Sequence, residues 1–324
     1  MKKEMKTILI SAGVFAVGAA AIAVTAKAVT SGLVKEALDR DEPEVMKKTK
    51  SKLMRSFNES DLAKEIAERG EVLGGKVTET VSINSFDGTK LIGHVYRAPN
   101  AKRFILAMHG WRATWKSDFG LISNFWHEND CSVLYVEQRG QGESDGKYMG
   151  FGMLERFDCI EWLRWMNENG ASEFPIYLAG ISMGAATVLM ASGSSELPEN
   201  VHGIMADCGF TSAKAIWKHV AENNFRVPYA IFDKDVEALC RRRLNMESDA
   251  YSTLDAMKVN TRPILFVHGS GDTFVPVEMT YENYAACTAP KKLLISEGAE
   301  HGMSYIESRD EYEKTVKEFW KEFD

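Results

Sequence analysis

The chain has 324 residues, 45% of them hydrophobic and 26% charged, with a formal net charge of −7. These proportions exclude a disordered or collagen-like chain, and the acidic balance argues against nucleic acid as a partner, because that needs a basic face. A mean hydropathy of −0.24 excludes a multi-span membrane protein, although the first thirty residues are far more apolar than the rest.

Lys2, Lys3 and Lys6 precede an uncharged run of 20 residues, Thr7 to Ala26. As a helix this run spans roughly 30 Å, about the thickness of a bilayer's hydrocarbon core. It has no polar face, so residues 1–30 predict a single transmembrane helix rather than an amphipathic one. Ala26-Lys27-Ala28 resembles a cleavage site, and secretion after signal removal is the alternative; the length of the run favours a retained anchor. Basic residues are tied across the run, with Lys2, Lys3 and Lys6 against Lys27, Lys35 and Arg40. The signal-like layout therefore decides the expected orientation, with the N-terminus inside and the bulk of the chain on the outer side of the cell membrane.

Residues 31–75 read as a helical stalk or arm. Leu53 and Phe57 are four apart, as are Leu62 and Ile66, and Pro43 breaks the segment near its start. Ser60 is placed to cap a short helix that Gly70 ends. From Lys76 the period changes to two: Val77, Glu79, Val81 and Ile83 share one side, Asp87-Gly88 signals a hairpin, and Leu91 to Tyr96 follows.

Short apolar runs then alternate with helical stretches. Strands are expected at Phe104–Met108, Ser132–Val136, Pro175–Ala179, Val201–Ala206, Pro263–Val267 and Lys291–Ile295. A helical stretch is expected to follow Phe104–Met108 and reach about His127, with helices near Leu154–Asn169, Met183–Ala191 and Glu311–Phe323. Continuous apolar strands between helices imply an α/β fold, with a mostly parallel eight-stranded sheet covered on both faces. The stretch from about 210 to 258 is helical and charged, which suits a small cap over the carboxyl edge of the sheet. The domain reading is thus an anchor over 1–30, an arm over 31–75 and one α/β unit over 76–324.

The five cysteines are odd in number, form no C-x-x-C and have no clustered histidines, so neither a disulfide framework nor a zinc site is indicated. No metal or organic cofactor is implied.

Gly180-Ile181-Ser182-Met183-Gly184 is a G-x-S-x-G between the strand at Ile176–Ala179 and the helix that opens at Met183. A turn this tight holds the Ser182 hydroxyl out at the helix N-terminus, with glycines where a Cβ would clash. A serine hydroxyl needs a base, and His301, in a loop just past the last strand, reaches the same sheet edge. The base needs an acid to fix its tautomer. Asp272, in the Gly-rich turn after Pro263–Val267, is preferred to Asp207, which ends the neighbouring strand. The expected oxyanion donors are the backbone N–H groups of Met183 and Trp111. Arg112 and the Arg241-Arg242-Arg243 run read as solvated; Trp115, Phe119 and Trp126 read as the core face of one helix. His109 and His268 read as turn residues at strand ends.

His109-Gly110-Trp111, Gln138-Arg139-Gly140-Gln141-Gly142-Glu143-Ser144, the Ser182 elbow, Asp272 and Glu300-His301-Gly302 occur in that order. Together they resemble the α/β-hydrolase superfamily over about Lys76 to Asp324, including its Ser…Asp…His order. Ala206-Asp207-Cys208 and His301-Gly302-Met303-Ser304-Tyr305 narrow the resemblance to membrane-anchored serine α/β-hydrolases of Gram-positive bacteria, related to the prolyl-oligopeptidase and acyl-esterase branches. Glu137 departs from the Asp usual before the R-G-x-G-x-S turn. The resemblance implies a serine esterase acting on a small-molecule acyl substrate through Ser182, His301 and Asp272. A peptidase or thioesterase of the same fold is the alternative, and a catalytically silent, membrane-tethered binding protein is the non-enzymatic one. Oligomeric state is not legible.

Overall fold

The computed structural model describes residues 26–42 and 60–324. The apolar run up to Thr25, together with Pro43, Leu53 and Phe57, lies outside them. Among the described residues no helix is long and apolar enough to cross a membrane.

One sheet contains all eight strands: β1 (Glu79–Asn84), β2 (Lys90–Tyr96), β3 (Arg103–Met108), β4 (Cys131–Glu137), β5 (Ile176–Ile181), β6 (Val201–Asp207), β7 (Ile264–Gly269) and β8 (Lys291–Ser296). Their spatial order is β1-β2-β4-β3-β5-β6-β7-β8. Strand β2 runs antiparallel to β1 and β4, and the other pairings are parallel. The hairpin expected at Asp87-Gly88 forms: Ser85 N–H donates to Thr89 O at 2.8 Å, and Gly88 takes φ +82°.

Burial explains the apolar runs. Strands β3, β4 and β7 are buried at every position, because helices cover both sheet faces. Leu106, Leu134, Leu178 and Trp162 fill the core on one face; Ile105, Tyr135, Tyr177 and Trp320 fill it on the other. Strand β1 lies at the edge, with only Val81 and Ile83 turned inward and half-buried.

Two helical expectations are corrected by packing. Ser60 does cap a helix, accepting the Ala63 N–H at 3.1 Å, but that helix runs from Asp61 to Lys76. Gly70 does not end it. A Cβ there would lie 3.0 Å from the Lys116 carbonyl oxygen, so this glycine permits a close crossing in mid-helix. Trp115, Phe119 and Trp126 are all buried, but on two helices, Trp115–Phe119 and Ser123–Glu128. The break falls at Gly120, where a Cβ would meet Gly70 N at 2.7 Å.

The first described helix, α1 (Ala26–Leu38), lies against the body rather than standing off it. Val34 and Leu38 are buried in one cluster with Phe232, Val236 and Leu244. Those partners belong to the excursion between β6 and β7, which is built from helices Ala213–His219, Asp233–Leu244 and Thr253–Val259. Arg241 and Arg242 are exposed as expected, whereas Arg243 is half-buried and ion-paired with Asp39. The sequence pattern could not show this, because Asp39 is 204 residues away.

A buried ion pair ties the hairpin to the sheet's covering helix Glu155–Met166. Arg139 Nε and Nη2 donate to the two Asp158 oxygens at 2.6 and 2.5 Å, and Nη1 reaches Asp87 at 2.8 Å. Removing one partner of such a pair leaves a buried charge uncompensated. Asp158→Ala is therefore expected to destabilise the protein by about 3–5 kcal/mol in urea unfolding. A loss below about 1 kcal/mol would show that Asp87 alone satisfies the guanidinium.

Candidate active site

Strand order reverses between β3 and β5: the chain leaves β3 toward β4 on one side, then returns past it to β5. Crevices at the carboxyl ends of strands flanking such a switch are where α/β sheets bind ligands. Ser182 follows β5 there, and the turn His109–Arg112 follows β3.

Ser182 has φ 56° and ψ −115°, a left-handed conformation that costs a non-glycine residue on the order of 1–3 kcal/mol. Its neighbours enforce it. A Cβ on Gly180 would lie 2.3 Å from the Gly184 carbonyl, and one on Gly184 would lie 1.8 Å from the Met108 carbonyl oxygen. Strand and helix can converge only on glycine at both places. The elbow is fastened from β6, whose Asp207 carbonyl accepts the Ser182 N–H at 2.9 Å.

Asp272 and His301 meet because their loops touch. Gly271 N–H donates to Ala299 O at 2.9 Å, and a Cβ on Gly269 would lie 2.2 Å from that same oxygen. His301 Nδ1 then lies 2.6 Å from Asp272 Oδ2, and its Nε2 lies 2.9 Å from Ser182 Oγ. The carboxylate fixes the tautomer: Nδ1 carries the proton and Nε2 accepts from the Ser182 hydroxyl. All three side chains are buried.

Asp272 is held from its other side as well. Its Oδ1 accepts the Phe274 and Val275 N–H groups, both at 2.9 Å. His268, read from sequence as a turn residue, is wholly buried and donates through Nε2 to Asp272 Oδ2 at 3.2 Å and to Val275 O at 2.9 Å. Its Nδ1 lies 2.6 Å from Thr280 Oγ1, which serves as the donor to it. Sequence reasoning missed this role; the only signal was a histidine four residues before the acid.

The two aspartates differ in charge. Burial alone would raise the Asp272 carboxyl, but the charge of His301 and hydrogen bonds from His268 and His301 hold it well below the usual carboxylate range. Burial pushes Asp207 up to about 6, against a hydrogen bond from Ser304 Oγ at 2.9 Å. Burial works against a charged His301, yet the Asp272 charge outweighs it and raises this histidine well above 6.5.

The turn after β3 is built by side chains the sequence did not single out. Gly110 N–H donates to Asp118 Oδ2 at 2.7 Å, and Arg112 N–H donates to Gln141 Oε1 at 2.5 Å. Trp111 sits between these anchored positions, with its indole Nε1 donating to Ala37 O at 2.9 Å. Gly110 packs on the serine: a Cβ there would lie 3.4 Å from Ser182 Cβ. Met183 opens the helix Met183–Ala191, so its N–H is in the first turn, where no intrahelical acceptor exists. Arg112 is not solvated. It has φ 51°, and its Nη2 donates to the carbonyls of Glu36 at 2.8 Å and Asp39 at 2.7 Å.

Glu137, the departure before the R-G-x-G-x-S turn, bonds His94 at 2.8 Å and the Glu143 N–H, away from Ser182. Cys208 has φ 50°, and its sulfur lies within 4.8 Å of ligand atoms of His301 and Asp272. Among the described residues this is the one trio with spacing for a metal ion, but both His301 nitrogens already face Asp272 and Ser182. A cavity opens beside Ser182, with Trp111, Phe151, Phe210, Trp217 and Phe274 in its walls. No charged side chain lines it among the described residues.

The chain is similar in sequence and fold to known proteins. The uncharacterized protein YqkD of Bacillus subtilis is 29% identical over 188 residues, which is 58% of this chain and 61% of that relative; the chain thus spans less than two thirds of YqkD. The Pyrococcus furiosus esterase Pf2001 shares the fold with a TM-score of 0.61 at 20% identity, covering 76% of this chain and 91% of that one. Est1E of Butyrivibrio proteoclasticus, solved with ferulic acid bound, gives 0.57 at 19% identity, covering 75% and 98%. At these identities the two structures establish the α/β-hydrolase fold alone. The family model of the prolyl oligopeptidases matches residues 117–323, more than half of the sequence, and the chain belongs to the prolyl oligopeptidase family of α/β-hydrolases.

Proposed function

We propose that this hydrolase cleaves carboxylic esters through an acyl-enzyme on Ser182. The observation that carries the reading is the 2.9 Å contact between His301 Nε2 and Ser182 Oγ, with Asp272 on the far nitrogen. Ser182 Oγ attacks the carbonyl carbon while His301 takes its proton. The Met183 and Trp111 N–H groups receive the developing oxyanion. His301 then protonates the leaving alcohol, and a water molecule, deprotonated by the same nitrogen, releases the acid. Asp272 acts throughout by holding the imidazole and stabilising its charged form.

The ester class is favoured by the cavity. An apolar wall rewards an acyl chain by about 0.8 kcal/mol per buried methylene, and offers no charged partner to a peptide's ionised groups. The Pyrococcus furiosus fold neighbour, which is named as an esterase, leans the same way. The family name supports a peptidase as the second reading.

We also propose that the run Thr7–Ala26 anchors the chain in the cell membrane, as its length and lack of charge suggest. Cell fractionation should place the full chain with membranes and a form lacking residues 1–30 in the soluble fraction. Recovery of the full chain in the soluble fraction contradicts the anchor.

The ester reading is tested by a screen of p-nitrophenyl esters beside aminoacyl p-nitroanilides. Ester turnover should dominate, and preferential anilide cleavage would favour the peptidase. On the best ester, Asp272→Asn should lower kcat/KM by about 10⁴-fold. The neutral imidazole is the base, so activity should rise with pH as His301 loses its proton, on a limb above 6.5 in the wild type. Removing the Asp272 charge makes the imidazolium easier to deprotonate, so Asp272→Asn should move that limb to lower pH. Asp207→Asn should change the rate by less than about tenfold and leave the limb in place. The reverse ranking, with both variants folded, would transfer the acid's role to Asp207.

A further inference from the structure

Helix α1 does more than pack. Leu33, Val34 and Ala37 line the same cavity as Ser182, opposite Phe151, Phe210 and Phe274. A segment that the sequence assigns to a stalk therefore completes the wall of the candidate acyl site.

Its attachment is polar and many-sided. The last carbonyls of a helix lack intrahelical partners, and here they are taken by the body of the enzyme. Arg112 Nη2 donates to Glu36 O and Asp39 O, Trp111 Nε1 donates to Ala37 O at 2.9 Å, and Met149 N–H donates to Leu38 O at 2.7 Å. Arg40 N–H donates to Lys147 O at 2.8 Å, and Arg40 Nη1 to Ser144 O at 2.5 Å. Arg243 closes on the Asp39 carboxylate. These bonds fix where Leu33, Val34 and Ala37 stand relative to Ser182. They also engage Trp111, whose backbone N–H is proposed to receive the oxyanion, and its neighbour Arg112.

We propose that α1 is a specificity element: a linear, uncharged acyl chain attached through its carbonyl at Ser182 lies against Leu33, Val34 and Ala37, and the position of α1 sets the chain length the enzyme accepts. This rests on the reading of Ser182 as the acylated residue. The chemistry of the wall selects the ligand class. The side chains that α1 contributes are apolar, aromatic rings share the lining with them, and among the described residues no charged side chain is present to pair with an ammonium or a second carboxylate.

The test uses the full chain in two arms. In the binding arm, Ser182→Ala protein is titrated by calorimetry with linear fatty acids from butyrate to palmitate. Affinity should rise about fourfold per added methylene, then level off where the chain fills the cavity. Val34→Trp should bring that plateau to a shorter chain and weaken the longest acids by tenfold or more. Lys35→Trp, on the exposed side of α1, should leave the series as it is. Ala37→Leu, a smaller intrusion, should shorten the plateau by less and serves if Val34→Trp does not fold.

In the kinetic arm, the same substitutions in the active enzyme should shift the optimum of an ester series in the same direction. A chain-length series unmoved by Val34→Trp and Ala37→Leu, in folded protein, overturns the proposal even where esters are cleaved. Graded binding that shifts with these variants, without ester cleavage by the wild type, upholds the acyl wall and removes the ester reading instead.

Discussion

Gly184 lies so near the end of β3 that any side chain would drive into the Met108 carbonyl. That contact sets the distance between the helix carrying Ser182 and the sheet. It forces Ser182 into a left-handed conformation and aims its hydroxyl out of the sheet edge rather than along it. The site's other parts are placed relative to this point: the turn after β3 is packed on Ser182 through Gly110, and the ends of β6 and β7 are stitched to it through Asp207 O and the Cys208 N–H to Val267 O bond.

The second constraint is electrostatic. One carboxylate, Asp272, is wholly enclosed and accepts from two backbone N–H groups and two histidines. So many donors keep it ionised despite burial, and the ionised form makes His301 a stronger base. Asp207, at the neighbouring strand end, accepts from the Ser304 hydroxyl but no histidine hydrogen bond, and burial pushes it the other way. Two aspartates at neighbouring strand ends therefore differ by the cationic and imidazole partners that face them. The His301 charge contributes most to holding Asp272 ionised, and His268 adds its donor while Thr280 orients it from behind.

Much of this was legible in the sequence where local chemistry dictates structure. Ser182, with its flanking glycines, needs a strand before it and a helix after it, and both are written in adjacent residues. The buried strands declare themselves as apolar runs, and Asp272 sits in a turn whose glycines and Val275-Pro276 read as one. What escaped depends on contacts between distant segments. Gly70 looks like a helix stop until Lys116 and Gly120 are seen against it. Arg112 looks like a surface arginine because the carbonyls it holds lie more than 70 residues upstream. His268 resembles any residue at a strand end, since its burial follows from the helix Val277–Ala286 folding back over it. The arm was misread for the same reason: its apolar positions fit a stalk as well as a wall until Phe232 and Val236 are placed opposite them.

The central claim is that the buried hydrogen-bonded chain from Asp272 through His301 turns Ser182 into a nucleophile. The most direct measurement is peptide mass spectrometry of the folded, full-length protein after exposure to a fluorophosphonate. One adduct is expected, on the peptide containing Ser182, and it should vanish in Ser182→Ala and form much more slowly in His301→Ala. A wild-type protein that stays unmodified, or an adduct that persists at the same rate when Ser182 is replaced, would contradict the claim.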